Sequence, residues 1–133
     1  IQITEVERRN PFVLHAKLGA FLAMHQYGVN DREIVSAILN HTTGKPNMSL
    51  LDKIVYVADY IEPRRNKAPN LPEVRKLAFL DLDEALYKIL SDTLNYLDKG
   101  SGEIDEMTLK AYEYYKAERE EALEGKSDKE EKE

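Results

Sequence analysis

The chain has no cysteine among its 133 residues. This absence excludes disulfides, thiolate metal ligands and cysteine nucleophiles, and it fits a reducing compartment. No apolar run approaches the roughly 18 residues that a membrane-spanning helix needs, and no secretory signal sequence is visible. We therefore expect a cytoplasmic protein with no membrane partner.

Basic residues are fewer than acidic residues, and the difference arises in the C-terminal segment of the chain. The sequence has 19 Lys+Arg against 25 Asp+Glu, which gives a net charge of −6. Residues 1–100 carry 13 residues of each sign, whereas residues 101–133 carry 6 basic and 12 acidic residues. Because the chain lacks the basic stripe of a duplex-binding protein, we expect no nucleic-acid partner.

The length suits one domain with one hydrophobic core. The first residue is Ile1, and initiator methionine is normally removed only before small residues, so isoleucine is a poor natural start. We interpret the chain as the C-terminal portion of a longer protein.

Apolar residues recur at spacings of three and four along the chain, and no strand pattern of useful length appears. Capping residues and helix-ending glycine or proline separate about six segments, so the predicted fold class is all-α. The predicted helices begin at Pro11, at Asn30 or Asp31, at Ser49, at Asn70, at Asp81 and near residue 104; they end at Gly28, near His41, at Pro63, near Phe79, at Gly100 and near residue 124.

The chain divides into three parts. Residues 1–100 form the predicted domain, and residues 101–124 form a tyrosine-rich C-terminal helix. Residues 125–133 are nearly all charged, so we expect a disordered tail. Tyrosine and leucine side chains on the last helix favour a homodimer surface.

His15 is the first candidate for metal binding. It shares a predicted helix face with Leu18, Gly19 and Leu22, so we expect it to point inward, and Gly19 leaves room for another helix or a ligand. The alternative is a core histidine whose ring is hydrogen-bonded to a backbone carbonyl.

His41 and Asp59 are the second and third candidates. His41 ends a helix, where it either caps the helix or binds a metal. Asp59 lies among apolar neighbours, where a carboxylate is costly unless a cation or a donor meets it. A buried ion pair with a nearby arginine is the alternative for Asp59. Asp52, seven residues earlier, either orients a ligand or faces solvent.

Two loops beside these residues carry groups that suit phosphate. Thr42 and Thr43 supply hydroxyls and Lys45 an ammonium group, and the second loop supplies the guanidinium groups of Arg64 and Arg65. Each alone is explained by loop solubility. Together they favour a phosphorylated substrate.

Three segments resemble one known family. They are Pro11-Phe-Val-Leu-His15-Ala-Lys-Leu-Gly, Asn40-His41-Thr-Thr-Gly-Lys-Pro-Asn-Met-Ser, and Asp52-Lys-Ile-Val-Tyr-Val-Ala-Asp59-Tyr-Ile-Glu-Pro. The resemblance is to the YqeK branch of the HD-domain metal phosphohydrolases, and it extends from about residue 8 to residue 100.

The resemblance implies an HD-domain-like helical bundle around two metal ions, expected to be iron, and symmetrical cleavage of diadenosine tetraphosphate into two ADP. It makes His15, His41 and Asp59 metal ligands and Asp59 the catalytic carboxylate. The family's ligands come in the order His, His-Asp, His, His, Asp. The sequence contains no His-Asp dipeptide, so the first ligands, with their N-terminal helices, are expected to lie upstream.

Two alternatives stay open. One is an HD-type phosphohydrolase of another nucleotide, such as a nucleoside monophosphate. The other is a non-catalytic helical binding module in which His15 and Asp59 are structural.

Overall fold

The computed structural model describes residues 2–9, 11–63, 70–99 and 105–132, and within these ranges the regular structure is entirely helical. The all-α prediction is therefore confirmed. In the described part of the chain, no helix is both long and apolar enough to cross a bilayer. The helices are α1 (Glu5–Arg9), α2 (Pro11–His25), α3 (Arg32–Asn40), α4 (Leu50–Tyr60), α5 (Leu71–Leu80), α6 (Leu82–Lys99) and α7 (Glu106–Lys132).

The predicted starts of α3 and α4 have side-chain caps, whereas Asn70 before α5 makes no capping hydrogen bond. The side chain of Asp31 accepts hydrogen bonds from the first turn of α3. Ser49 and Asp52 form a reciprocal capping box at the start of α4. Helix α1 was missed, although Thr4 and Glu7 have the same spacing and exchange two hydrogen bonds of the same kind.

The hydrophobic core lies among α4, α5, α6 and α7. Leu86, Ile89 and Leu90 of α6 are completely buried, as is Val74 of α5. Tyr115 of α7 is also buried, so this tyrosine of the last helix belongs to the core. The predicted homodimer surface stays a prediction.

Helices α2 and α3 pack against each other through small residues. Ala16, Ala20 and Ala37 are buried, and a Cβ added to Gly19 would lie 3.4 Å from the side chain of Ile38. The close approach expected at Gly19 is therefore present.

Several large apolar side chains of this pair of helices lie at the surface. Leu18, Phe21 and Leu22 of α2 and Ile34 and Leu39 of α3 are exposed. The periodicity identified a real apolar face, but within the described residues no helix covers it. The expectation that the face of α2 with Leu18 and Leu22 points inward was wrong.

The loop between α3 and α4 is fixed to the core at Gly44. This glycine has φ +72°, and its Cβ position would lie 3.5 Å from Tyr56, 3.6 Å from Ala111 and 3.7 Å from Leu90. Only glycine combines this left-handed backbone with so little strain. Farther along the loop, the N–H of Met48 donates to the hydroxyl of Tyr115 at 2.6 Å. The loop that begins with His41 is therefore held by α4, α6 and α7.

Helix α7 continues through Lys132, whereas the sequence analysis expected disorder from residue 125. The segment is rich in glutamate and lysine, which are good helix formers. The predicted domain boundary after residue 100 falls at residues 100–104, which lie outside the described ranges.

Candidate metal centre

The two predicted histidine ligands meet. His15 lies in the second turn of α2, and His41 immediately follows α3. Their Nε2 atoms are 2.9 Å apart, and their rings are 4.9 Å apart between centroids at an angle of 70°. The packing of α2 on α3 through small side chains thus joins residues that are 26 positions apart in the chain.

The backbone fixes the tautomer of His41. Its Nδ1 lies 2.6 Å from the carbonyl oxygen of Ile38. A carbonyl can only accept, so Nδ1 carries the proton, and in the neutral ring Nε2 has a lone pair that faces His15. Histidines that bind metals usually donate their other ring N–H to a carbonyl or a carboxylate in this way.

Two arrangements allow the two Nε2 atoms to lie this close together. Either His15 donates a proton to His41, or both nitrogens present lone pairs to a cation that draws them together. Neutral imidazole is a common ligand of zinc, iron and copper. The donor set present therefore fits part of a transition-metal site.

Asp59 does not complete this site in the structure. It occupies the penultimate position of α4 and is exposed. Within the described residues, no group of three or more His, Asp or Glu side chains is close enough to hold a metal ion. The expectation that Asp59 is enclosed by apolar neighbours was wrong, because Ala58 beside it is also exposed. Its roles as ligand and as catalytic carboxylate stay predictions.

His15 is also more open than expected. The sequence analysis placed it inside, but it is exposed together with Leu18 and Leu22 on the same face of α2. His41 is half-buried. The pair therefore lies at the surface of the α2–α3 layer, and an external cation can reach it.

The two threonines after His41 differ in their contacts. The hydroxyl of Thr43 donates to the carbonyl oxygen of Gly44 at 3.0 Å. The hydroxyl oxygen of Thr42 is buried and has no hydrogen-bond partner among the described residues. A buried hydroxyl without a hydrogen-bond partner is unfavourable. Within the described part of the chain, Thr42 therefore lacks a hydrogen bond that Thr43 has. Phosphate binding by either residue stays a prediction.

Lys45 has a protein partner. Its Nζ lies 3.8 Å from Oδ2 of Asp52, while the side chain is still 35% exposed. This distance is at the limit of an ion pair, so the ammonium group can also reach an external anion. Arg64 and Arg65 lie outside the described residues, and their predicted phosphate contacts stay predictions.

Asp52 has a larger role than the sequence analysis gave it. Its side chain is 1% exposed. One oxygen accepts from the Ser36 hydroxyl at 2.9 Å and the other from the Ser49 N–H at 3.0 Å. Asn40 in turn donates to the backbone of Ser36 at 2.8 Å. Asp52 thus ties both ends of the loop that carries His41. The Ser49-x-x-Asp52 spacing signalled the cap, but the contact with Ser36 is visible only in the fold.

Several known proteins are similar to this chain. The HD domain family model matches residues 1–64. A curated relative from Bacillus subtilis, bis(5'-nucleosyl)-tetraphosphatase, symmetrical, is 49% identical over 90 residues, which are 68% of this chain and 48% of that protein. A relative of the same name from Halalkalibacterium halodurans is 43% identical over 100 residues, which are 75% of this chain and 53% of that protein.

A solved structure is also similar. It is a crystal structure from Clostridium acetobutylicum, described as a predicted HD superfamily hydrolase involved in NAD metabolism. The two chains are 37% identical, with a TM-score of 0.82, and the match covers 89% of this chain and 62% of that one. The chain spans about half the length of the curated relatives it matches.

Proposed function

We propose that this chain, which belongs to the HD-domain family, is part of a metal-dependent phosphohydrolase that cleaves diadenosine tetraphosphate symmetrically into two ADP. The observation that carries the proposal is the approach of His15 and His41, whose Nε2 atoms lie 2.9 Å apart. The names of the Bacillus subtilis and Halalkalibacterium halodurans relatives support the substrate.

His15, His41 and Asp59 are the residues of this chain that would hold metal. We expect two ions, and iron is the expected metal. When bound, such ions polarise phosphoryl oxygens and make water a stronger nucleophile near neutral pH. The remaining ligands would come from residues outside this chain.

The chain's own residues supply orientation and charge. The Ile38 carbonyl holds the His41 ring in one tautomer, so its Nε2 stays available as a ligand. Asp52 holds the loop on which His41 lies. Lys45, Arg64 and Arg65 would neutralise phosphates that the metal ions do not contact, and Thr42 and Thr43 would donate hydrogen bonds to them.

A different nucleotide substrate is the second candidate. The observation that favours it is the Clostridium acetobutylicum structure, whose description places that protein in NAD metabolism. A substrate panel separates the two candidates, because a nucleoside monophosphatase releases phosphate and forms no ADP. The third reading, a non-catalytic helical module, predicts a folded protein that binds no metal and turns over no nucleotide.

The test is metal analysis of the full-length protein combined with a His41→Ala variant. We expect the variant to lose metal affinity by more than about 100-fold, since even partners outside the ligand shell are worth about 10- to 100-fold. ADP release from diadenosine tetraphosphate should fall with it. His25→Ala is the matched control, because His25 is exposed and, among the described residues, its ring contacts that of Phe21 and not the histidine pair. If His41→Ala and the unaltered protein hold equal metal and release ADP equally, the proposal fails.

A further inference from the structure

A second candidate site lies where α1, α2, α3 and the start of α7 meet. It is a cavity of about 340 Å³. Its walls include residues near the histidine pair in sequence: Ala16 follows His15, Asn40 precedes His41, and Thr43 lies two residues after His41. The remaining lining residues are Thr4, Glu7, Lys17, Leu39, Asp105, Glu106 and Met107.

Glu7 is the unusual residue of this cavity, because it is only 7% exposed. Its Oε1 accepts from Lys17 Nζ at 2.8 Å and from the Thr4 N–H at 3.4 Å. Its Oε2 is buried and has no hydrogen-bond partner among the described residues. Burial acts to raise the pKa of the Glu7 carboxyl, but the hydrogen bonds from Lys17 and Thr4 outweigh burial, so the pKa is lowered. The carboxylate is therefore ionised at neutral pH with one oxygen unsatisfied.

The rest of the lining offers mainly acceptors. Lys17 is balanced by Glu7 and also donates to the Gln2 carbonyl at 2.6 Å. Asp105 and Glu106 add two more carboxylates at the start of α7. The cavity is therefore unfavourable for a phosphate group and favourable for a ligand that carries several donors.

The apolar part of the lining restricts the ligand further. Ala16, Leu39 and Met107 provide hydrocarbon surface beside the carboxylates. A small cation gains no binding energy from contact with such hydrocarbon surface. A ring system that carries hydroxyl and amino groups matches both parts of the wall, and carboxylates bind ribose hydroxyls in other nucleotide sites.

We propose that this cavity binds the nucleoside end of a nucleotide, with Glu7 Oε2 accepting from a ribose hydroxyl. The inference rests on the proposed function for the identity of the ligand. It assigns the uncharged end of the substrate to the cavity and leaves the phosphates to the basic loops near His41. Ala16, Asn40 and Thr43 of the cavity wall lie within two residues of His15 or His41 in the sequence, which connects the two places.

The test is a calorimetric titration of the 133-residue chain with adenosine, a probe that needs neither metal nor hydrolysis. We expect saturable binding in the unaltered protein and in His41→Ala. Glu7→Gln should weaken binding by about tenfold or more, because it removes a hydrogen bond to a charged acceptor. Glu5→Gln is the matched control, since Glu5 is exposed on the same helix, and it should bind as the unaltered protein does.

Because Glu7 also holds α1, a second variant leaves Glu7 intact. Met107→Trp adds bulk at a partly exposed position of the wall, and it should abolish adenosine binding while the melting temperature stays close to that of the unaltered protein. Absence of saturable adenosine binding, or binding that both variants leave unchanged, overturns the inference. If the full-length protein holds no metal and releases no ADP but still binds adenosine, that result contradicts the proposed function and not this inference.

Discussion

Helix α6 buries Leu86, Ile89 and Leu90 completely, whereas α2 leaves Leu18 and Leu22 more than two-fifths exposed. We call α4 to α7 the core half and α2 with α3 the site layer. The core half packs large side chains, while the site layer buries mainly alanines. Burial of large apolar side chains is the main source of stability, so the core half should carry most of the stability and the site layer the chemistry.

His41 is held in a fixed position although the site layer buries mainly alanines. The loop that it begins is tied to the core half through Gly44 and through the contact of Met48 with Tyr115. Asp52 of α4 reaches across to Ser36 of α3. The position of the histidine is therefore set from the core half, which does not itself contain the histidine pair.

The largest expected effect is truncation in the core half. Ile89→Ala should lower the free energy of unfolding by about 2–5 kcal/mol, because it leaves a cavity among completely buried neighbours. Leu22→Ala in the site layer, where the side chain is 46% exposed, should cost under about 1 kcal/mol. Urea denaturation of both variants measures the difference. Equal losses would mean that the site layer is packed as tightly as the core half.

The next effect tests the connection between the two regions. Asp52→Ala removes the acceptor for Ser36 and Ser49, and it should cost about 2 kcal/mol, as expected for a cap combined with a buried charged acceptor. Asp83→Ala is the control, since Asp83 is exposed and forms an ion pair with Lys53; an exposed pair is worth about 0–1 kcal/mol. If the two variants are equally stable, the connection through Asp52 is not significant.

A smaller effect is expected at the far side of the same loop. Tyr115→Phe leaves the Met48 N–H without its buried acceptor and should cost about 1–2 kcal/mol. Tyr114→Phe removes a longer hydrogen bond of 3.3 Å to Asn47 at an exposed position, and it should change the thermal midpoint very little. A midpoint that falls equally in both would contradict the distinct role of Tyr115.

The smallest effect is a pH dependence at α1, which contacts α2 of the site layer. The pKa of Glu7 is lowered in the folded protein below its ordinary value of 4.5. The stabilisation by Glu7 is therefore present above about pH 4.5 and lost as the pH falls through the folded pKa. Between pH 6 and about pH 3, the free energy of unfolding of Glu7→Gln should fall less than that of Glu5→Gln, the control at an exposed position, in which Glu7 is intact. Parallel pH profiles for the two variants would exclude this contribution.

The helices and caps were largely predictable because their signals are local. Asp31, Ser49 and the apolar spacing in each segment gave α2 to α6 close to their observed bounds. Helix α1 was missed because its capping spacing was not used. The extension of α7 was missed because charge composition was taken to indicate disorder, although the same residues form helices well.

The candidate site was predictable in part. His15 and His41 were singled out, and they do meet. Exposure was misjudged at His15, at Asp59 and along the α2 stripe, because periodicity shows that a face is apolar but not whether another helix covers it.

By itself the sequence determined the helical class and the caps of α3 and α4, because these follow from neighbours within one or two turns. Only the tertiary structure decided which atoms meet: the two Nε2 atoms at 2.9 Å, the link from Asp52 to Ser36, and the unsatisfied Glu7 oxygen in its cavity. These contacts join residues that are distant in the chain, and their geometry depends on how closely small side chains allow the helices to approach.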